Sequence, residues 1–292
     1  GESTFVETNG IKLHVMQFGN PDGELVIMLH GFPDFWYTWR YQIPILVNAG
    51  FRIFCPDQRG YNLSDKPRGV HHYNRAELAK DIVGLIDYAG RPQAILVAHD
   101  WGGSIAFAVT SQFPERVKKL VAFNSTHGAV MMKNFLTNFQ QLKKSFYMFK
   151  FQVPVWPEIN FRANKCAVLV KTLRSMTLKD GESVVGEEEM EKYVENWSQP
   201  RALSCTLNWY RSSIRSFISF ILSAAGPLPT PSISVPTLLF WGNADPAFTT
   251  KLGLDTAAIC QDIKFEAVEG GGHWIHWTHK EEINPKVLEF LS

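Results

Sequence analysis

The sequence predicts an α/β protein in which buried parallel strands alternate with amphipathic helices. One observation is a set of short apolar runs rich in β-formers, which are typical of strands in the middle of a parallel sheet. Another is helical periodicity between those runs, as in residues 74–90, where apolar side chains recur on one face. The class is therefore doubly wound, with a mostly parallel central sheet and helices on both faces. The strand-like runs are LVIMLHG, RIFCPD, AILVAHD, KKLVAFN, TLLFWG and IKFEAVEG.

The elements follow in a regular order with one interruption. The chain begins with a predicted hairpin, because alternating strand residues flank the pair Asn9-Gly10, which suits a tight turn. Between about Thr126 and Pro236 the sequence becomes aromatic and amphipathic-helical and shows no strand-like run, until the proline-rich GPLPTPSISVP ends it. We therefore predict a core formed by residues 1–126 and 235–292, with a helical cap over residues 127–234.

The composition favours a neutral, apolar small molecule as partner. With 29 basic and 28 acidic side chains, nothing indicates binding to nucleic acid or an anionic membrane. No apolar run approaches the roughly 20 residues that span a bilayer. Four cysteines without paired spacing indicate free thiols, so a cytoplasmic location is expected. A monomer or a homodimer is also expected. A targeting segment removed before Gly1 stays open, since the chain does not begin with Met.

The stretch AHDWGG places a carboxylate where a reactive group is expected. Asp100 follows a predicted central strand and precedes a helix, and reactive groups of α/β sheets lie at this edge. The small residues Ala98, Gly102 and Gly103 permit a sharp turn that directs the middle side chain outward. Ser104 is the competing nucleophile, but its turn would begin four residues after the apolar run AILVA has ended, which puts Ser104 in the first helical turn. We therefore predict a nucleophile elbow with Asp100 in the nucleophile's place.

Two further loops supply the other members of a triad, in the order nucleophile, acid, base. Asp245 follows the run TLLFWG, and His273 follows IKFEAVEG. The loop after KKLVAF is another possible source of the acid, but it carries Asn124 and no carboxylate. Asp245 is therefore predicted to orient His273.

The carboxylate nucleophile indicates which bond the protein attacks. A serine that displaced a group from saturated carbon would form an ether, which an activated water cannot cleave. A carboxylate forms an ester, and water can attack its carbonyl. The expected substrates are thus epoxides or alkyl halides. The backbone N–H groups of Phe32 and Trp101 are predicted to stabilise the oxyanion that forms when water attacks.

The motifs HGFPDFWYTWRYQIP, DQRGYNLSDKP and AHDWGG resemble α/β-hydrolases of the soluble epoxide hydrolase type, with Ala98 where the family usually has Gly. The segments SFYMFKFQVP and LNWYRSS resemble the family's cap, in which two tyrosines hold the epoxide oxygen. The resemblance implies this role for Tyr147 and Tyr210, a cis peptide bond before Pro33, and an α/β-hydrolase fold. An epoxide hydrolase that needs no metal or organic cofactor is the function expected.

Two other functions remain open. A haloalkane dehalogenase would use the same Asp nucleophile and often the following Trp, but its second halide ligand commonly comes from an Asn after HG or a cap Trp, and Phe32 follows HG here. A non-catalytic ligand-binding module on the same scaffold would not need a triad. The aromatic cap predicts an apolar pocket lined in part by Trp36, Trp101 and Phe149, and so a hydrophobic epoxide. The spacing of the histidines 273, 276 and 279 is a weak metal signal, because glycines and tryptophans surround them.

Overall fold

The strands of the computed structural model, which describes residues 1–223, 226 and 231–292, form one large sheet and a small hairpin. The large sheet has eight strands. The strands of the described residues are β1 (Glu2–Thr8), β2 (Ile11–Gly19), β3 (Leu25–Leu29), β4 (Arg52–Pro56), β5 (Ala94–His99), β6 (Val117–Phe123), β7 (Leu178–Lys179), β8 (Glu182–Ser183), β9 (Thr237–Gly242) and β10 (Ile263–Val268). Their order across the large sheet is β1-β2-β4-β3-β5-β6-β9-β10.

The sheet is mostly parallel, as predicted. Six adjacent strands run parallel to one another, namely β3, β4, β5, β6, β9 and β10. Strands β1 and β2 form an antiparallel edge. The predicted hairpin is confirmed, and both Asn9 (φ 45°) and Gly10 (φ 74°) have the left-handed backbone that a two-residue turn of this kind requires. Residues of β5 are buried on both faces, which explains their unbroken apolar sequence.

Helices cover both faces of the sheet. One apolar cluster includes Ile82, Ile105 and Leu252 against one face, and a second includes Leu46 and Val287 against the other. The α-helices of the described residues are α1 (Ile43–Asn48), α2 (Arg75–Tyr88), α3 (Asp100–Gln112), α4 (Gly128–Thr137), α5 (Phe139–Lys144), α6 (Phe146–Lys150), α7 (Trp156–Met176), α8 (Glu187–Ser198), α9 (Ala202–Leu222), α10 (Thr250–Ala257), α11 (Ile275–Thr278) and α12 (Lys280–Leu291).

The helices α4 to α9 form an inserted segment between the adjacent strands β6 and β9. Its first helix, α4, packs on core helix α10, where Asn134 Nδ2 donates to Asp255 Oδ2 at 2.9 Å. Further along, α7 is interrupted by non-helical backbone at residues 163–166. A third apolar cluster joins the segment to the core, with the ring centroid of Tyr193 in α8 6.0 Å from that of Trp277 in α11. The insertion is therefore anchored to the core at several points.

The expectation that no strand occurs in the inserted segment is wrong. Strands β7 and β8 pair antiparallel, and Asp180 (φ 54°) and Gly181 (φ 86°) turn the chain between them. Asp-Gly is a strong signal for such a turn, but the strands are only two residues long and leave no alternating pattern. The predicted proline-rich connector GPLPTPSISVP lies partly outside the described residues.

Candidate active site

The turn from β5 into α3 directs Asp100 out of the sheet. Asp100 has φ 51°, a left-handed conformation that costs free energy in a residue with a side chain. The turn also needs glycine at Gly102 in α3 and at Gly31 in the loop after β3. A Cβ at Gly102 would lie 2.1 Å from the backbone oxygen of Leu29, and one at Gly31 would lie 2.4 Å from Asp100 Cβ. Glycine thus allows the end of β3 and the β5–α3 turn to approach closely beside one buried carboxylate.

Asp100, His273 and Asp245 lie together at the carboxyl edge of the sheet. The Nε2 atom of His273 is 3.4 Å from Asp100 Oδ2, and its Nδ1 atom is 2.6 Å from Asp245 Oδ2. Asp245 follows β9 and His273 follows β10, so two neighbouring parallel strands bring acid and base side by side. Ser104 instead lies one turn into α3, where its Oγ accepts a hydrogen bond from Arg75 Nε at 3.2 Å.

Asp245 is fixed by donors from its own loop and from β6. Its Oδ1 accepts from the backbone N–H groups of Ala247 at 2.6 Å and Phe248 at 3.1 Å. Its Oδ2 also accepts from Asn124 Nδ2 at 2.5 Å, and Asn124 Oδ1 accepts from the N–H of Gly242 at 3.0 Å. Sequence reasoning used Asn124 only to discard an acid position. Its position after β6, next in the sheet to β9, is the signal that could have indicated this contact.

One of the two predicted oxyanion donors, the backbone N–H of Phe32, contacts the Asp100 carboxylate. The N–H of Phe32 donates to Asp100 Oδ1 at 2.9 Å, so Oδ1 is held while Oδ2 faces His273. The Phe32–Pro33 peptide bond is cis, which confirms the expectation for Pro33. Trp101 is in the first turn of α3, where backbone N–H groups have no acceptor within the helix. The arrangement can stabilise negative charge on the oxygen that lies opposite the reacting one.

The three triad residues stabilise one another's charged forms. Burial alone would lower the pKa of His273, but the charges of Asp245 and Asp100 and their hydrogen bonds raise this pKa to about 10. Burial alone would raise the pKa of Asp100, but the hydrogen bond and charge of His273 lower it on balance. The pKa of Asp245 is likewise lowered, because His273, Ala247 and Asn124 outweigh burial. The free site therefore contains an imidazolium between two carboxylates.

The raised pKa of His273 predicts a loss of thermal stability at alkaline pH. A group whose pKa is higher in the folded state than in the unfolded state stabilises the fold fully below the unfolded pKa, here about 6.5. That stabilisation is lost as pH rises towards 10. We expect Tm of the wild type to fall more steeply between pH 7 and 10 than Tm of His273→Gln, as measured by calorimetry at constant ionic strength. Curves of Tm against pH that run parallel for the two proteins would contradict a protonated His273 in the folded state.

A cavity of about 390 Å³ opens beside Asp100 and His273, between the core and the inserted segment. Tyr147 of α6 and Tyr210 of α9 line it across from the triad, with their ring centroids 5.9 Å apart. Burial, followed by the negative charge of Asp100, raises the pKa of Tyr147 well above its usual range. Burial likewise raises the pKa of Tyr210, so both phenols keep their protons at neutral pH. The two tyrosines predicted from the sequence thus line the same cavity as the predicted nucleophile.

The structure changes the predicted lining of this cavity. Trp101 lies beside Asp100, but in a second, smaller cavity described below. Trp36 and Phe149 line neither cavity: the ring of Trp36 packs on Phe18 and Tyr37, and the ring of Phe149 packs on Phe135 and Phe146. The apolar side of the large cavity comes instead from residues that sequence reasoning missed, namely Phe151, Phe161, Leu169 and Met176.

The inserted segment also holds the loop that carries Asp245. Lys144 Nζ donates to the backbone oxygen of Asp245 and, at 3.2 Å, to that of Phe248. Gln141 Nε2 donates to the oxygen of Ala247 at 2.9 Å, and its Oε1 accepts from the N–H of Thr249 at 2.8 Å. Two side chains of α5 therefore bind the backbone of four residues in the acid loop, Asp245, Ala247, Phe248 and Thr249. Nothing in the sequence pattern distinguished them from other polar helix residues.

His276 and His279 are not arranged with His273 as metal ligands. His276 is buried and its Nε2 lies 3.1 Å from Thr38 Oγ1, while His279 Nδ1 lies 2.9 Å from Thr278 Oγ1. Across residues 1–223, 226 and 231–292, no group of three His, Cys, Asp or Glu side chains is arranged to hold a metal ion. Over the same residues, no helix combines the length and apolar character needed to cross a membrane.

The fold, the elbow and the triad define an α/β hydrolase. The chain belongs to the alpha/beta hydrolase fold family, which matches residues 24–280. It is 40% identical to the AB hydrolase superfamily protein YfhM of Bacillus subtilis, over 99% of this chain and 97% of that protein. It is 32% identical to epoxide hydrolase 1 of Caenorhabditis elegans, over 100% of this chain and 70% of that protein.

Solved structures show the same similarity. The chain superimposes with a TM-score of 0.89 and 30% identity on a mutant epoxide hydrolase from Bacillus megaterium, crystallised with its product (R)-3-[1]naphthyloxy-propane-1,2-diol, over 99% of both chains. The resemblance to α/β-hydrolases of the soluble epoxide hydrolase type is therefore confirmed.

Proposed function

We propose that this protein is an epoxide hydrolase that converts a hydrophobic epoxide into a vicinal diol through an ester on Asp100. One observation carries the proposal: an aspartate at the elbow faces two protonated tyrosines on one side and a histidine paired with a second carboxylate on the other. In the same proposal, the inserted segment, residues 127–234, acts as the cap. The full-length similarity to proteins named epoxide hydrolases supports it.

The first step opens the ring. Asp100 Oδ2 attacks one epoxide carbon, the carbon–oxygen bond breaks, and the oxygen takes a proton from Tyr147 or Tyr210. Attack by a carboxylate on saturated carbon leaves a hydroxyalkyl ester that water can later hydrolyse. The phenols are suited to this step, because a proton donor must reach the oxygen from the side of the ring opposite the nucleophile. The apolar walls of the large cavity bind the substrate's hydrocarbon part.

The second step hydrolyses the ester. Once Asp100 has become an ester, His273 has lost one of the two negative charges that raise its pKa, and its proton passes to the phenolate that the first step left. It then takes a proton from a water molecule that attacks the ester carbonyl. The N–H groups of Phe32 and Trp101 stabilise the oxyanion at Oδ1. Asp245 holds the imidazolium that results. The intermediate then collapses: its bond to the alkyl oxygen breaks, the hydroxyl that came from water gives its proton to that oxygen, and the diol leaves the Asp100 carboxylate.

The dehalogenase alternative shares the Asp nucleophile but requires a cradle of donors for a departing halide. The tyrosine pair favours the epoxide, since a leaving halide needs no proton. A ligand-binding module has no use for a charged triad with an aligned nucleophile and base.

Product analysis in heavy-oxygen water tests the proposal. We expect styrene oxide to yield its diol and (2-bromoethyl)benzene to yield no bromide. With the protein in excess and one turnover, the label should enter the Asp100 carboxylate and not the diol, because water attacks the ester carbonyl. The variant Asp100→Asn is the control and should form neither diol nor labelled protein. Bromide without diol would favour the dehalogenase, and label in the diol formed during that single turnover would exclude the ester.

A further inference from the structure

Arg75, at the start of α2, carries a positive charge that no acidic side chain balances. Within the described ranges 1–223, 226 and 231–292, no carboxylate oxygen lies within 4.0 Å of its guanidinium. The six remaining residues include no Asp or Glu. Burial lowers the pKa of Arg75 to about 10, and no charged neighbour offsets this effect. A partly buried cation without a counter-ion is unfavourable by itself, and so requires another explanation.

The partners of Arg75 in the structure are neutral. Its Nε donates to Ser104 Oγ at 3.2 Å and its Nη2 donates to Ser213 Oγ at 2.9 Å. The guanidinium carbon lies 5.5 Å from the centroid of the Trp101 ring. Among the described residues, Nη1 donates to no acceptor. The two serines orient the guanidinium and leave its charge, and part of its donor capacity, available to a ligand.

Arg75 lines the small cavity, of about 30 Å³, on the side of Asp100 that adjoins Trp101 and Ser104. Tyr147 and Tyr210 border both this cavity and the large apolar one. A volume of about 30 Å³ holds one or two water molecules, so it admits a group the size of a carboxylate and no ring. An epoxide held at Asp100 would therefore place a bulky apolar substituent on one side and a short substituent beside Arg75.

We propose that Arg75 binds a carboxylate on the short side of the substrate, so that preferred substrates are epoxy acids with one bulky apolar substituent. This inference rests on the proposed function and names its substrate class. A substrate carboxylate beside Arg75 gains a charge-assisted hydrogen bond without displacing an internal ion pair.

Two epoxides of nearly the same shape test the proposal. They are trans-3-phenyloxirane-2-carboxylate and trans-2-methyl-3-phenyloxirane, in which a methyl group replaces the carboxylate. We expect the ratio of their kcat/KM values, acid over methyl, to fall about ten- to a hundredfold in Arg75→Met, as for loss of a hydrogen bond to a charged group. Arg75→Lys should keep part of the ratio. Arg68→Met removes an exposed cation outside both cavities and should leave the ratio unchanged.

Binding of trans-cinnamate, which has no epoxide ring, separates this inference from the proposed function. We expect calorimetric titration to show that cinnamate binds the wild type and Arg68→Met equally well. Its affinity for Arg75→Met should be about ten- to a hundredfold lower. Equal affinity in wild type and Arg75→Met, or an unchanged ratio of kcat/KM, would overturn the role of Arg75 alone. Absence of diol from both epoxides with the wild type would contradict the proposed function, whatever the cinnamate titration shows.

Discussion

Replacing His273 with glutamine is expected to stop the reaction after the first step, so that the protein gains the mass of one substrate molecule. Asp100 keeps its N–H donor from Phe32 and can still attack the epoxide, but no base remains to activate water. We expect steady-state turnover to fall by about a hundred- to ten-thousandfold, as is usual when a general base is lost. Intact-protein mass spectrometry after mixing with styrene oxide measures the adduct.

Two further variants make that result specific. His279→Gln changes a histidine whose side chain contacts Thr278 and lines neither cavity, and it should turn over normally without an adduct. Asp100→Asn combined with His273→Gln should show no added mass. Continued turnover by His273→Gln with unmodified protein would show that another group activates the water, and the triad would then be wrong.

Replacing both Tyr147 and Tyr210 with phenylalanine is expected to slow ring opening by about a hundred- to ten-thousandfold. Ring opening places a negative charge on oxygen, and these are the two phenols that line the cavity with Asp100. In the His273→Gln background, the rate of adduct formation reports ring opening alone, without the later hydrolysis. We expect each single variant to retain more activity than the double variant, because the remaining phenol can still donate.

Tyr41→Phe is the matched control for the tyrosine pair. The Tyr41 ring packs against Arg40 and Lys280 and lines neither cavity. Loss of its hydroxyl should therefore leave adduct formation at the rate of His273→Gln alone. Retention of most of the ring-opening rate in the double variant would mean that the proton comes from elsewhere.

The triad could be predicted because its geometry follows from the sheet. Parallel strands end at one edge, and Asp100, Asp245 and His273 each lie in the segment that follows a strand that the apolar pattern reveals. Knowing which strand each residue follows was then enough to predict that the three lie close together. Tyr147 and Tyr210 needed the family resemblance, since nothing in their periodicity separates them from packed aromatic residues.

The lining of the cavity could not be predicted, because it depends on how helices of the inserted segment pack. Phe161 and Leu169 lie on either side of the interruption at residues 163–166 in α7. A regular helical period therefore does not predict that both side chains line the cavity. Trp36 follows the predicted oxyanion residue closely in sequence, but its ring packs against Phe18 in the core. Proximity along the chain therefore did not indicate proximity to the site.

The contacts of Gln141 and Lys144 with residues 245–249 have a consequence for chimeric proteins. Strands β6 and β9 are neighbours, so the segment between them invites replacement by the corresponding segment of a relative. Such an exchange would alter more than substrate choice, because α5 also supports the loop of the orienting acid. A donor segment without an equivalent pair of polar side chains on α5 would leave backbone carbonyls and N–H groups of that loop unpaired. The boundary for grafting new specificity onto this scaffold therefore lies after α5, within the inserted segment.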